Sequence, residues 1–318
     1  MPPHPLRLAF VMDPIQSLDI DADTSFALML EAQERGHHIY CVDPADLTVE
    51  GGHPSARLQE VTLQRVEGNH VSFGECHERV LDDWSDVVFQ RVDPPVDDDY
   101  VRATQILTLC RRAKVLNRPA SILAANEKLY ALQFADLMAE TLVTRHIPDL
   151  VAFLASLGGE MIVKPLEGKG GEGIFHVRSD DRNLFSILEQ STRFGERWTM
   201  AQRYLPDVRK GDKRILLLEG EVLGALLRVP AEDELRANLH VGGRAEAAIL
   251  DEDDRRIVEH LAPRLREDGF FFVGIDVIGG KLTEINVTSP TGIQEAARLS
   301  GEPLASRVLE AVEALVHP

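Results

Sequence analysis

A short apolar strand, Met161–Pro165, leads into Gly168-Lys169-Gly170-Gly171-Glu172-Gly173, and Ile174–Val177 follows as a second strand. Glycine accepts positive φ and leaves its backbone N–H groups uncovered. The letters satisfy G-x-G-x-x-G, yet a dinucleotide fingerprint must open a helix so that the pyrophosphate meets the helix N-terminus. Here a strand follows, and the dinucleotide-binding reading fails on context. A Walker loop is excluded as well, because no G-x-x-x-x-G-K-[ST] occurs. What fits is a strand–turn–strand flap whose N–H groups cover a polyphosphate, a device protein kinases also use. A glycine hairpin without a ligand is the bland alternative. Lys164 and Lys169 beside the run favour phosphate.

The remainder of the chain must build a cleft around such a flap. Its 318 residues are too many for one small core and suit two or three packed units. Apolar residues at 44% and charged residues at 27% are globular usage and exclude a disordered chain or a coiled coil. Lys+Arg 34 against Asp+Glu 52 gives 34 − 52 = −18, a surface that repels nucleic acid and anionic lipid. Anionic substrates would therefore need a local basic exception. Cys41, Cys76 and Cys110 are odd in number and widely spaced, which argues against a disulfide framework or a zinc site and for a reducing cytoplasm. No run approaches the roughly 20 apolar residues of a membrane span, and Met1–Met12 carries no cleavage pattern.

Punctuation places the elements. Leu6–Met12 reads as a strand, a helix capped by Thr24 or Ser25 runs to Arg35 with Gly36 as its stop, and Ile39–Val42 is a second strand. This order predicts a parallel, doubly wound unit. A hairpin follows, Arg57–Val66 and His70–Phe73, then a strand Asp86–Arg91, a helix Val101–Ala113 and a strand Val115–Asn117. Beyond residue 123 glycines and strands dominate, and an α+β unit with mostly antiparallel strands is expected, closed by a helix Asp253–Glu267 and a hairpin Phe271–Val287.

Three groups of residues could carry chemistry. Lys164 ends an apolar strand and is either snorkelling or aimed at anionic oxygens; Lys128, on a helix, is by itself an ordinary solvated lysine. Asp276, Glu284 and Asn286 stand in a hairpin that is otherwise apolar, and hard oxygens of this kind suit Mg²⁺ held jointly with phosphates. Arg91, Arg214, Arg228, Arg236 and Arg244 could bind carboxylate or phosphate bidentately, or merely balance charge; Arg214 and Arg228, at strand ends, favour a site role. Between the last strands, Pro230–Gly243 is polar and suits a lid. No nucleophile pattern of the G-x-S-x-G kind is present.

The hairpin poses a choice of register. A two-residue turn at Gly279-Gly280 would set Asp276 opposite Thr283 and send Asp276 and Glu284 to opposite faces. A three-residue loop, Gly279-Gly280-Lys281, pairs Asp276 with Glu284 and Gly274 with Asn286. Burial and chemistry agree only in the second arrangement, which predicts the odd loop, or a bulge with the same effect.

Taken in order, Asn126-Glu127-Lys128, Val163-Lys164-Pro165-Leu166, Gly168–Gly171, Ala201-Gln202-Arg203-Tyr204-Leu205-Pro206, Gly211-Asp212-Lys213-Arg214 and Thr283–Thr291 resemble the bacterial-type glutathione synthetases of the ATP-grasp superfamily. Val11–Ile15 and Arg91–Pro95 extend the resemblance, so that it spans Leu6 to Val312. It implies a Rossmann-like pre-ATP-grasp α/β domain, residues 1–123, and a two-subdomain α+β ATP-grasp fold, residues 124–318, whose glycine-loop part covers 124–204 and whose metal-binding part covers 205–318. It implies that Lys128 and Lys164 contact ATP phosphates under Gly168, Gly170, Gly171 and Gly173. Gln202, Arg203, Tyr204 and Leu205 would read adenine, with Asp212 near the ribose. Asp276, Glu284 and Asn286 match Mg²⁺ (or Mn²⁺) ligands. Arg214, Arg228 and Arg236 would stabilise the reacting groups, and Arg91, Arg244, Ser289, Pro290 and Thr291, with Arg214, Arg228 and Asn286, would face substrate.

The implied activity is ATP-dependent joining of γ-glutamylcysteine and glycine in a cytoplasmic homotetramer. Rival readings are another ATP-grasp amide ligase, adding glutamate to a protein tail or joining two D-alanines, and a non-catalytic ATP-binding module. Arg203 stands where the family usually has asparagine, Glu167 and Lys169 alter the glycine loop, Ala231–Glu234 replaces the lid's opening glycines, and Gly292 and Gln294 replace cysteine and arginine.

Overall fold

The computed structural model describes residues 4–168, 170–231, 234, 236–238 and 242–317. Three sheets organise them. The first is built from β1 (Arg7–Val11), β2 (His38–Val42), β3 (Leu47–Glu50), β4 (His53–Leu63), β5 (Val71–Val80), β6 (Val87–Gln90) and β7 (Lys114–Leu116). β1 pairs in parallel with β2 and β6, and β6 with β7, as the strand–helix–strand order predicts. The β3–β5 segment instead forms an antiparallel wing on β2, longer than the hairpin expected from its turn signals and with β3 unforeseen.

Two helix boundaries differ from expectation for reasons of hydrogen bonding. The helix Thr24–Glu34 is capped by Asp23, whose carboxylate accepts from the Phe26 N–H at 2.6 Å. Ser25 cannot serve, because its hydroxyl accepts from Arg91 Nε at 2.9 Å. The second helix spans Asp98–Leu107 under an Asp97 cap, earlier at both ends than the expected Val101–Ala113. Past it, the N–H groups of Arg111, Arg112 and Ala113 all donate to the Asp82 carboxylate, so the chain turns instead of continuing the helix.

The second sheet, ordered β10-β9-β11-β8, is antiparallel: β8 (Thr141–Thr144), β9 (Glu160–Pro165), β10 (Phe175–Arg178) and β11 (Thr199–Arg203). Alternation along β9 sends Met161 and Val163 into a core with Leu150, Leu154 and Leu188 of the covering helices. Lys164 is thereby left on the opposite face.

The third sheet, ordered β14-β13-β12-β15-β16, is also antiparallel: β12 (Asp212–Leu218), β13 (Glu221–Val229), β14 (Arg244–Ala247), β15 (Phe272–Ile278) and β16 (Lys281–Asn286). One face packs Ile215, Leu217, Val273, Ile275, Val277 and Ile285 on Ile257, Leu261 and Leu265 of the helix Glu252–Asp268. The other carries the polar residues in rows. Asp212 lies opposite Arg228, Arg214 opposite Asp276, Asp276 opposite Glu284 and Gly274 opposite Asn286.

The hairpin reaches the expected register, Asp276 opposite Glu284 and Gly274 opposite Asn286, by the bulge and not by the three-residue loop. Ile278 pairs with Lys281 across the two glycines Gly279 (φ 55°) and Gly280 (φ 71°). The register then shifts between Asp276 and Val277, and Thr283 is the extra residue that brings Glu284 back opposite Asp276. Asn117, at the end of the first sheet, anchors that unit to the third: its buried amide donates to the carbonyls of Phe272 and Val287 at 2.8 Å and accepts from the Phe272 N–H at 2.8 Å. Among the described residues no helix is long and apolar enough to cross a membrane.

Candidate active site

The three units enclose one cleft of about 1120 Å³. The third sheet forms its most ordered wall. Arg214 Nε and Nη2 clasp the Asp276 carboxylate at 2.5 and 2.9 Å, and Arg228 reaches the same carboxylate at 3.0 Å. Arg228 also pairs with Asp212, which completes an alternating chain of four charges. Arg214, Arg228 and Asp276 are all under a tenth exposed. Burial alone would raise the Asp276 carboxyl, but the two guanidiniums outweigh it and hold it well below the usual carboxylate range. Burial pushes the Asp212 carboxyl the other way, upward, against the pull of Arg228. Asp212 was expected beside a ribose; its carboxylate is turned onto Arg228, and one of its oxygens has no hydrogen-bond partner among the described residues.

Lys128 and Lys164 enter the cleft from two other elements. Lys128, on the helix Glu127–Ala131 capped by Asn126, pairs with Glu284 at 2.9 Å. Burial disfavours its charge, but Glu284 more than compensates and raises the ammonium's pKa. Lys164 donates to neutral oxygens, Gln202 Oε1 at 3.3 Å and Thr283 O at 3.2 Å, and burial lowers its pKa. The bulge residue thus offers its carbonyl to the lysine of the facing sheet.

Gly168, Gly170 and Gly171 line the cleft, while Gly173 turns the chain behind them, and all four hold positive φ. Lys169 lies outside the described residues. At Gly171 a Cβ would stand 2.6 Å from Asn238 Oδ1 and 2.9 Å from Arg236 Cδ, so only glycine lets this loop meet that segment. Arg236 lines the cleft and pairs with Glu234 at 2.6 Å. Of the expected lid, residues 232, 233, 235 and 239–241 lie outside the described residues.

Gln202, Arg203, Tyr204 and Leu205 all line the cleft. Arg203 turns its guanidinium onto Glu140 at the rim, at 2.7 Å. Tyr204 stacks on His176 with ring centroids 4.1 Å apart. His176, in turn bonded to Glu160 at 2.8 Å, was not singled out from sequence, where a histidine in a β-strand gives no signal.

Arg91 is buried, donating to Ser25 and to the Pro290 carbonyl at 3.1 Å. Ser289 and Thr291 are tied to it and to Arg214, through the Arg91 and Thr291 carbonyls respectively. Arg244 is the exception. It sits on β14, 74% exposed and paired with Glu246, and does not line the cleft, because edge-strand alternation turns it to solvent.

Asp276, Glu284 and Asn286 share the cleft face of one hairpin, and Asn286 Nδ2 lies 3.4 Å from Asp276 Oδ2. Two carboxylates and an amide oxygen are hard donors and fit a divalent ion that keeps water or phosphate ligands, while Gly274 beside them is closely packed by Arg214 and Pro290. No cysteine lines the cleft, and burial pushes the Cys41 thiol up to about 12. Among the described residues the site offers cations, oxygen ligands and N–H groups, and no cysteine.

Comparison with known proteins accords with this arrangement. Residues 6–122 match the prokaryotic glutathione synthetase N-terminal domain and residues 127–301 the prokaryotic glutathione synthetase ATP-grasp domain. The chain is 48% identical to a glutathione synthetase of Mesorhizobium japonicum over 97% of this chain and 98% of that one. With a glutathione synthetase of Synechococcus elongatus it shares 46% identity over 98% and 99% of the two chains. Among solved structures, the D-cycloserine synthetase DcsG superposes with a TM-score of 0.70 at 17% identity, covering 98% of this chain and 99% of that one, a likeness of fold.

Proposed function

This chain belongs to the prokaryotic glutathione synthetase family and is an ATP-dependent ligase that forms glutathione, and from that premise we propose which of its groups do the work. A carboxylate is a poor electrophile, so the cysteinyl carboxylate of γ-glutamylcysteine first attacks the γ-phosphoryl of ATP, giving an acyl phosphate and ADP. The glycine amine then attacks the acyl carbon, and inorganic phosphate leaves as the amide forms and the amine gives up its proton.

Lys128 and Lys164 hold the phosphates of ATP, covered by the N–H groups around Gly168–Gly171. Gln202, Tyr204 and Leu205 form the pocket for the base, with Tyr204 braced by His176 and Arg203 at its rim turned onto Glu140. Arg214 and Arg228, pre-aligned by Asp276 and Asp212, face the transferring phosphoryl group and the tetrahedral oxyanion. Arg236 covers the site from the segment over Gly171. Arg91 and Ser289–Thr291 receive the peptide. Asp276, Glu284 and Asn286 would hold Mg²⁺ (or Mn²⁺), which when bound would neutralise phosphate charge. Excluding water protects the acyl phosphate from hydrolysis.

The observation that carries this reading is the convergence, in one cleft, of Lys128, Lys164, Arg214 and Arg228 with the hairpin face bearing Asp276, Glu284 and Asn286. The domain division at 123/124, with a subdivision at 204/205, follows the gaps between the three sheets. A cytoplasmic homotetramer is part of the same proposal, supported by three unpaired cysteines and by the singly paired edge strand β5; light scattering tests the assembly. The reaction is tested by omitting each substrate in turn. Phosphate release and glutathione should appear together only with ATP, γ-glutamylcysteine and glycine all present. Phosphate release that ignores the peptide would overturn the assignment.

A further inference from the structure

The tripeptide Asn126-Glu127-Lys128 touches two walls of the cleft with three successive side chains. Asn126 Nδ2 donates to the Leu166 carbonyl at 3.1 Å, two residues before the glycine loop. Its Oδ1 meanwhile accepts from the N–H groups of Lys128 and Leu129, each at 3.1 Å. Glu127 Oε1 accepts from the Val287 N–H at 2.8 Å, the Thr288 N–H at 3.0 Å and the Thr288 hydroxyl at 2.8 Å. Lys128 reaches Glu284. One short helix start therefore spans the second and third sheets.

Three hydrogen bonds converging on one carboxylate oxygen go beyond what helix capping requires. They fall where β16 ends and the segment Val287–Thr291 begins. Downstream, that segment is held again, its Pro290 carbonyl by Arg91 at 3.1 Å and its Thr291 carbonyl by Arg214 at 3.3 Å. Glu127 thus fixes the origin of the segment that runs from the metal-ligand strand to Arg91, and Asn126 fixes the origin of the glycine loop.

We infer that Asn126 and Glu127 are positioning residues with divided roles: Asn126 sets the glycine loop for the nucleotide, and Glu127 sets Val287–Thr291 for the peptide. The peptide half of this inference rests on the substrate assignment above, whereas the nucleotide half does not.

Asn126→Asp keeps an oxygen for the helix cap but turns an oxygen, in place of the amide donor, toward the Leu166 carbonyl. It should weaken binding of a non-hydrolysable ATP analogue about tenfold while leaving the KM for γ-glutamylcysteine within about twofold. Glu127→Ala should do the reverse, raising the peptide KM about tenfold and lowering kcat, with analogue binding nearly unchanged. Glu127→Gln retains an acceptor oxygen and should recover most of the peptide KM. Thr288→Val removes one of the three bonds and should raise that KM by about threefold, which keeps the test decisive if Glu127→Ala does not fold. The division of roles is overturned if Glu127→Gln is as impaired as Glu127→Ala, if Thr288→Val is unaffected, or if both ligands weaken together in both the Asn126 and Glu127 variants. A wild-type enzyme that made no glutathione would refute the substrate assignment instead, and analogue binding to Asn126→Asp would still be readable.

Discussion

The third sheet keeps its cleft-facing charges in contact with one another, whereas the second sheet presents Lys164 to neutral oxygens, with a glycine loop lining the same cleft. On the third sheet, Asp212, Arg228, Asp276 and Arg214 form a chain in which each charge has an opposite neighbour. On the second, Lys164 makes two long bonds, 3.2 and 3.3 Å, and the loop beside it is built on positive-φ glycines. Pairing orients a guanidinium before substrate arrives, so one wall is preorganised for charge that develops in the transition state. A lysine whose described hydrogen bonds go to neutral acceptors loses little when a phosphate takes it, so the other wall suits nucleotide that must enter and leave. The difference predicts that stability and binding will respond separately to mutation.

Asp276→Ala should produce the largest effect. It leaves two buried guanidiniums without their shared anion, and breaking a buried pair in this way costs about 3–5 kcal/mol. Denaturant titration should register that loss, and ligation should be abolished. An unchanged unfolding midpoint would break the contrast between the walls.

Lys164→Met removes a buried cation whose pKa burial has already lowered. Stability should therefore stay within about 1 kcal/mol of wild type or rise, since a buried charge is replaced by an apolar chain of similar length. ATP affinity should nevertheless fall about 10- to 100-fold, the range of a lost charge-assisted bond. A variant destabilised as much as Asp276→Ala, or one with wild-type nucleotide affinity, would remove Lys164 from the proposed role.

Gly171→Ala probes the loop itself. Its φ of 81° is unfavourable for alanine, and the new Cβ would press on Asn238 and Arg236. Strain of about 1–3 kcal/mol is expected at such a residue, and the KM for ATP should rise while the global unfolding midpoint moves little. A midpoint shift without a KM change would mean that the loop packs for stability and not for nucleotide.

What could be read from the residues follows the same division. The hairpin face of Asp276, Glu284 and Asn286 was legible because a period of two leaves one choice of register compatible with an apolar core. Which of the two expected routes the hairpin takes was not: the sequence left an odd loop and a bulge equally open, and the bulge at Thr283 is held by partners distant in sequence, among them Lys164. The helix cap at Asp23 was misassigned to its neighbours because Ser25 is engaged by Arg91, 66 residues away. Strand-end position already favoured Arg214 and Arg228 over Arg244, which only the resemblance placed at the substrate; strand order, which puts β14 at the edge, leaves Arg244 facing solvent. Lys128 looked like any surface lysine until the resemblance lifted it; what buries it is Glu284, far along the chain. Local periodicity was readable, and the long-range partners that turn a charged residue into a site residue were not.

Arg203 and Glu140 lie at the rim of the second sheet and should show the smallest effect. The Arg203 guanidinium holds the Glu140 carboxyl down to about 2, from an ordinary 4.5. A carboxyl whose folded pKa is depressed adds stability that is complete above its unfolded pKa and is lost as the pH falls toward the folded one. The pair should therefore matter between pH 4.5 and about 2 in the sense of weakening with acid. Glu140 is 59% exposed and Arg203 40%, so solvent and salt screen the pair and the acid limb should be shallow. Arg203→Asn should return Glu140 toward its ordinary range and flatten that limb, an effect that 1 M salt mimics in the wild type. Because the guanidinium is turned outward onto Glu140, the KM for ATP should change by less than about twofold. A larger change would show that Arg203 leaves Glu140 to meet the nucleotide, and the rim would then belong with the paired, substrate-directed charges of the third sheet.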